Sequence, residues 1–407
     1  MQQLSKYFVL IITIFFYIDA HDVTIVGNCC QSDGLGKIGL NFINALKHHV
    51  TINVKSLKTN TTDVDPSTIK LINDPNKTAG NITVYTFLLE PEYVKFIPNS
   101  AIKIAYSMFE STAIPPHWVS ILNKYFDAVV VPDIFLVEVY KNSGVQIPIF
   151  VLPMIIDIET FLNTSPRQAP HKPFVFASTG LSFLRKNHSL VLDSFAKAFG
   201  NNPNVQLKMH IKMTNKWVMN HLKQKIIDYR LTNVKIIEKN LTWQEYTQFM
   251  ESVDCYICLS KGEGFSITPR EAMALGIPCI ISNNTAHTTI CDSHCVIGID
   301  APIKEHAYYE IFAKSFGTQF NCHQDQIIEA LKKVYSHYAD FLPAAQKGRE
   351  WVSQYTMEKL SDKYRNLVKP KKILLGEYNM ITNEYLMTSC IKLYDKYILL
   401  HSATNDK

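Results

Sequence analysis

Glu263 and Glu271 stand eight positions apart in the stretch KGEGFSITPREAMALGIP, residues 261–278, with Gly262, Gly264 and a helix start between them. Thr268, Pro269, Arg270 and Glu271 spell T-P-x-E, which predicts Thr268 as N-cap, Pro269 as first helical residue and Glu271 closing a capping box. That would occupy Glu271 without any ligand, but it leaves GEGFS unexplained. Two glycines beside a strand end predict unusual backbone dihedrals, and the helix that follows offers N–H groups and the positive end of its dipole. A diphosphate fits that seat. Carboxylates would repel phosphate, so their use beside it is to accept hydrogen bonds from sugar hydroxyls. A compact ligand with hydroxyls on both sides of a diphosphate is a nucleotide-sugar.

A second glycine-rich segment, VTIVGNCCQSDGLGKIGLNFINAL, follows a strand and enters a helix, with Gly34, Gly36 and Gly39 spelling G-x-G-x-x-G. By pattern alone this is a dinucleotide fingerprint. The loop from Gly27 to Gly34 is longer than the tight turn that such a site needs. The next strand ends in Ser56 and Lys58, with no acid for a ribose 2′-hydroxyl. An NAD(P) oxidoreductase is therefore disfavoured, and Gly36 is expected instead in a loop lining a ligand cleft.

These residues need elements to position them. Before residue 163 short apolar strands alternate with helical stretches: VTIVG (23–27), VTINVKSL (50–57), ITVYTFL (82–88), IKIAYSM (102–108), AVVVP (128–132) and IFVLP (149–153). A polar, proline-bearing linker follows, NTSPRQAPHKP (163–173), and the alternation then restarts with FVFAST, VQLKMHIK, VKIIEK, DCYICLS and PCIISN. Each βαβα series predicts a doubly wound parallel sheet. Ligands bind beyond the C-terminal strand ends of such sheets, so two sheets face to face make one cleft. After about residue 324 the chain reads as helical. The expected organisation is an α/β fold with residues 21–165 as a first domain, 166–350 as a second and 351–407 as helices crossing back.

The composition agrees: of 407 residues 47% are apolar and 19% charged, a globular balance with room for two cores. Lys and Arg exceed Asp and Glu by 41 − 36 = 5 without any basic run, so no nucleic-acid partner is indicated. Residues 1–20 carry Lys6 and then a short apolar run, Tyr7 to Ile18, too brief for a span of about 20 residues and suited to a signal peptide or short signal anchor. Sequons begin at Asn60, Asn76, Asn81, Asn163, Asn187, Asn240 and Asn283. A secretory or membrane-associated location is expected, with a cytoplasmic one as the alternative. Cys255 and Cys258 form C-x-x-C in a strand, where a spacing of three places them on opposite faces and argues against joint metal ligation. Cys291, His294 and Cys295 in CDSHC look more like a ligand cluster or a disulfide, but a structural zinc needs more ligands, and ordinary core or loop cysteines are the preferred reading.

SKGEGFSITPREAMALGIPCIIS resembles the donor-site signature of family 4 glycosyltransferases and related retaining enzymes of the GT-B fold. AYSMFESTAIPPHWVSILNKYFDAVVVPDIFLVEVYKNSGVQIPIFVLPMIID (105–157) is similar to the second half of their acceptor domain. FVFASTGLSFLRKNHSLVLDSFAKAF (174–199) is similar to the opening of their donor domain. The resemblance implies a retaining transfer of a hexose from a UDP-, GDP- or ADP-sugar to a hydroxyl of a glycan, lipid-linked sugar or protein. No metal or other cofactor is expected.

Carried over by position, the resemblance implies that Glu271 binds the ribose and Glu263 orients the donor sugar. The main chain at Phe265, Ser266 and Ile267, freed by Gly262 and Gly264, would hold the diphosphate. Lys186 and Arg185 would neutralise it as the leaving group, a fixed cation where negative charge develops. Glu110, just past a strand end, would orient the acceptor, with His117 as a further acceptor-side candidate. The chain departs from the pattern at Leu181, where many relatives carry Arg after the glycine matching Gly180. It departs again at Met154-Ile155, where many carry His-Gly. Two other functions fit the same fold: a nucleotide-sugar epimerase or hydrolase, and a non-catalytic nucleotide-sugar-binding protein.

Overall fold

The computed structural model describes residues 23–31, 34–57, 64–72, 79–212 and 215–368. The apolar N-terminal segment, the sequons at Asn60 and Asn76 and the chain after residue 368 lie outside the described residues.

The first sheet contains β1 (Val23–Gly27), β2 (Ile52–Ser56), β3 (Ile82–Tyr85), β4 (Ile102–Tyr106), β5 (Ala128–Val131) and β6 (Ile149–Val151). The order is β2-β1-β3-β4-β5-β6, parallel throughout. Every residue of β1, β3 and β5 is buried, as strands covered by helices on both faces require. The covering helices include α1 (Gly34–Leu46), α2 (Pro116–Tyr125) and α3 (Phe135–Asn142). Side chains such as Val84 and Val130, fully removed from water, each contribute about 1.5–3 kcal/mol.

The second sheet contains β7 (Phe174–Leu181), β8 (Val205–Lys212), β9 (Val234–Ile237), β10 (Cys255–Cys258), β11 (Cys279–Asn283) and β12 (Ile297–Asp300). It is again parallel, in the order β12-β11-β10-β7-β8-β9. Its helices include α4 (His188–Phe199), α5 (Lys216–Asp228), α6 (Trp243–Glu251) and α7 (Ile267–Ala274); α8 (Gln324–Ser336), α9 (Tyr338–Val352) and α10 (Met357–Leu367) follow in the chain. Connections leave in opposite directions from β7 and β10, which places a topological switch between those two strands. Loops after these strands part there and leave a crevice.

Two features tie the lobes together. Tyr364 of α10 packs its ring 4.7 Å from Phe42 of α1 and donates to the Pro153 carbonyl at 3.0 Å. The second feature lies in a region that sequence patterning left unassigned. Residues Ile303–Tyr309 (β13) and Lys314–Asn321 (β14) form an antiparallel hairpin that leaves the second lobe and clasps the first. Its Tyr309 ring lies tilted against Phe109 with centroids 4.6 Å apart, and Thr318 and Thr112 are joined by two hydrogen bonds of 2.8 and 3.2 Å. Gly317, at φ +68°, lies so close that an added Cβ would be 2.5 Å from the Ala113 amide. Phe320 N–H and Glu305 hold the base of the hairpin to Lys261, at 2.8 and 2.6 Å. Among the described residues no helix is long and apolar enough to cross a membrane.

Candidate active site

Both strands at the switch deliver charge to the crevice. Beyond β7 a single turn, Leu184–Lys186, presents two cations. Beyond β10 the chain runs through Lys261–Ser266 into α7. The two segments are joined by the Lys261 amide donating to the Arg185 carbonyl at 2.8 Å, and by Arg185 Nη1 donating to the Gly262 carbonyl at 3.0 Å. Glu263 Oε1 then meets Lys186 Nζ at 2.5 Å and Arg185 Nη1 at 3.1 Å. From the first lobe, Glu110 Oε1 accepts from Arg185 Nη2 at 2.7 Å. Four charges from three loops thus form one chain across the crevice, Glu110–Arg185–Glu263–Lys186.

Glu263 is 5% exposed and its amide donates to Thr285 Oγ1 at 2.9 Å. Burial alone would raise its pKa, but Lys186 and then Arg185 and His287 outweigh that and hold it well below the ordinary carboxylate range. Arg185 is pushed the other way: burial works against its charge, and the carboxylates of Glu110 and Glu263 more than restore it.

The glycines act differently from the sequence expectation. Neither Gly262 nor Gly264 has a positive φ; the left-handed residue of the loop is Ser266, at φ +70°. A Cβ on Gly262 would stand 1.9 Å from the Glu110 carbonyl oxygen, and one on Gly264 3.0 Å from that of Phe109. These positions lack side chains because the other lobe's loop passes directly over them.

Glu271 also departs from expectation. No capping box forms at Thr268: α7 begins at Ile267, with Ser266 as an N-cap that makes no side-chain cap bond. Glu271, 1% exposed, instead accepts from the Tyr246 hydroxyl at 2.6 Å and faces Lys37 Nζ of α1 at 3.6 Å. The box that does form is at the head of α6, between Thr242 and Glu245.

Gly36 lies inside α1, not in a free loop. An added Cβ there would meet the Cys30 carbonyl at 2.4 Å, and one on Gly39 the Asn28 carbonyl at 2.2 Å. Gly36 and Gly39 therefore let α1 pack on its own preceding loop, while the neighbouring Lys37 supplies the cation that reaches Glu271. His117 Nε2 is engaged by Glu90 Oε2 at 2.9 Å, and Trp118 Nε1 donates to the other oxygen of Glu90 at 2.7 Å. The structure thus joins Glu110, Arg185, Lys186 and Glu263 directly, places Glu271 one helix turn beyond Ile267, and gives His117 a separate carboxylate partner.

Sequence reasoning missed Lys37, Tyr246, His287 and Arg270. Arg270 is fully buried, its guanidinium 4.0 Å from the Phe265 ring centre and 4.8 Å from that of Tyr355. It donates to the Phe265 carbonyl and, at 2.9 Å, to the Ser266 carbonyl, with Asp133 of the first lobe 4.0 Å away. Cys255 and Cys258 point into different core clusters, as their spacing predicts, and Cys291 and Cys295 are free thiols. Among the described residues no group of three His, Cys, Asp or Glu side chains could hold a metal ion.

Residues 163–294 match the family model of glycosyl transferases group 1. That match spans the second lobe from the linker to just past β11. Solved structures resemble nearly the whole chain. Anabaena HepE, in complex with UDP and glucose, shares 11% identity at a TM-score of 0.63, covering 86% of this chain and 99% of its own. A glycosyltransferase from Rickettsia africae shares 14% at a TM-score of 0.63, covering 86% and 98%. Sucrose-phosphate synthase from Thermosynechococcus elongatus shares 12% at 0.64, covering 87% and 99%. No curated protein matches the chain. At these identities the structural likeness is one of fold: two parallel six-stranded sheets with helices, the GT-B architecture.

Proposed function

We propose that the chain is a retaining glycosyltransferase of the family 4 type that transfers a hexose from a nucleoside diphosphate sugar to an acceptor hydroxyl. The observation that carries this reading is the pairing of Lys186 and Arg185 with Glu263 where β7 and β10 end, beside the start of α7. In the proposed complex the diphosphate lies against the main chain of Phe265, Ser266 and Ile267. Lys186 and Arg185 turn from carboxylate to phosphate, and Glu263 and Glu110 are released toward donor and acceptor hydroxyls. Glu271, oriented by Tyr246 and Lys37, accepts from the ribose. The acceptor oxygen bonds to the anomeric carbon on the face from which the nucleotide departs. The bonding pair leaves with the β-phosphate, and that phosphate takes the acceptor's proton, so no separate strong base is required.

UDP-glucose is the first donor to try, because HepE was solved with UDP and glucose and also with UDP-glucose. GDP- and ADP-sugars remain in the panel. We propose a glycan, a lipid-linked sugar or a protein as acceptor. Membrane association and a secretory location belong to the proposal through the apolar N-terminal segment.

The test follows nucleoside diphosphate release and glycosylated product together. Lys186→Ala and Glu271→Ala each abolish transfer in a folded protein; turnover that survives both contradicts the assignment. Release without product points to hydrolysis or epimerisation, and binding without either points to a recognition protein. The anomeric configuration of the product decides retention.

A further inference from the structure

Ser266 is a non-glycine residue held at φ +70° and ψ 88° where α7 begins. For an L-residue the left-handed region costs about 1–2 kcal/mol, so something must hold it there. Its hydroxyl lies 2.9 Å from Nε2 of His287, a fully buried residue that follows β11. The tautomer of that ring is fixed by its other side. Nδ1 faces the Ser282 carbonyl at 3.1 Å and the Ser282 hydroxyl oxygen at 3.2 Å, and that hydroxyl donates its own proton to the Ser260 carbonyl at 2.7 Å. Both neighbours of Nδ1 are acceptors, so Nδ1 carries the proton and Nε2 is a lone-pair acceptor. Ser266 therefore donates to His287. Burial lowers the His287 pKa to about 4 despite the nearby Glu263, so the ring stays neutral near pH 7. On the backbone side Arg270 Nη1 takes the Ser266 carbonyl at 2.9 Å.

We infer that His287 is a positioning residue for the donor: by accepting from the Ser266 hydroxyl it locks the left-handed turn that sets the main-chain amides entering α7. The inference rests on the donor reading of that turn, and it gives a role to a residue 21 positions beyond Ser266 that is placed behind the turn.

Glycine adopts a positive φ without an anchor, and that supplies the test. UDP affinity is measured by calorimetry, and urea midpoints are recorded, for the wild type, His287→Ala, Ser266→Gly and the double variant. The expected result is that His287→Ala weakens UDP binding about tenfold when residue 266 is serine and less than twofold when it is glycine. The urea midpoints are expected to show the same dependence. An equal loss in both backgrounds overturns the inference. Should His287→Ala fail to fold, Ser266→Ala against Ser266→Gly leaves the buried imidazole intact: the alanine variant is expected to bind more weakly, and equal binding overturns the claim. If the wild type takes up no UDP or other nucleoside diphosphate, the donor reading fails by itself, and the urea midpoints still decide what His287 holds.

Discussion

The ion-pair chain makes a sharp demand on Glu263. At an effective dielectric near 20, separations of 2.5 and 3.1 Å correspond to gross attractions of about 7 and about 5 kcal/mol, before the opposing cost of desolvation. Both cations are largely buried, with side-chain exposures of 14% for Arg185 and 19% for Lys186. Removing one member of a buried cluster leaves the others uncompensated, which typically costs about 3–5 kcal/mol. Glu263→Ala is therefore expected to lose about that much stability. Lys186→Ala loses less, because Arg185 still neutralises Glu263. The double variant should fall short of the sum by about 1–3 kcal/mol, the signature of direct coupling. Urea unfolding of the four proteins measures the cycle, and repeating it with UDP adds a second reading. A diphosphate replaces the missing carboxylate, so UDP should stabilise Glu263→Ala at least as strongly as the wild type. Additivity within about 0.5 kcal/mol would refute the reasoning, since groups in contact cannot behave as independent sites.

Other predictions follow from the same geometry. Tyr246→Phe removes a 2.6 Å bond to a buried carboxylate and should weaken nucleotide binding by about 10-fold or more, read by calorimetry; no change would detach Glu271 from the donor. Gly262→Ala drives a Cβ into the Glu110 carbonyl and should abolish transfer, whereas Gly34→Ala, with nothing within 4 Å, should be tolerated in the same assay. Gly317→Val should loosen the hairpin from Thr112 and Ala113, raising protease sensitivity at 303–321 and lowering acceptor use more than UDP binding. Acid stability should fall in two stages. His188 and His287 are buried with pKa values lowered to about 4, so the unfolded chain takes up their protons first. Their stabilisation, present above about pH 6.5, disappears as pH falls toward 4, at up to about 3 kcal/mol each. Glu263, also lowered, adds its loss only below about pH 4.3. Unfolding free energies at pH 7, 5.5 and 4.5 test the order, and a profile flat to pH 4.5 would contradict the histidine part.

Strands such as AVVV at 128–131 and VTIVG at 23–27 were legible because a parallel strand buried on both faces must be apolar throughout. The hairpin was not: Lys304, Glu305, His306 and Lys314 sit in its strands, which are half exposed and paired only with each other. T-x-x-E occurs at both Thr242 and Thr268, yet only the first closes a box. At the second, the left-handed Ser266 starts the helix two residues early, and Tyr246 takes the glutamate. The Glu263–Glu271 spacing drew attention to a loop where the structure gathers opposite charges, because both acids come from one continuous turn and helix. Lys37, Tyr246 and His287 escaped notice because they reach that loop from other elements, by sheet order and lobe packing that no local pattern records. Gly262 and Gly264 were noticed for the wrong reason. Their space is filled by Phe109 and Glu110 of the opposite lobe, which sequence spacing does not show.

The most direct measurement is a crystal structure of the chain soaked with UDP-glucose. The account predicts diphosphate density against the Phe265–Ile267 main chain, with Lys186 turned from Glu263 to phosphate and the ribose on Glu271. Density elsewhere, with the Glu110–Arg185–Glu263–Lys186 chain undisturbed, would contradict it.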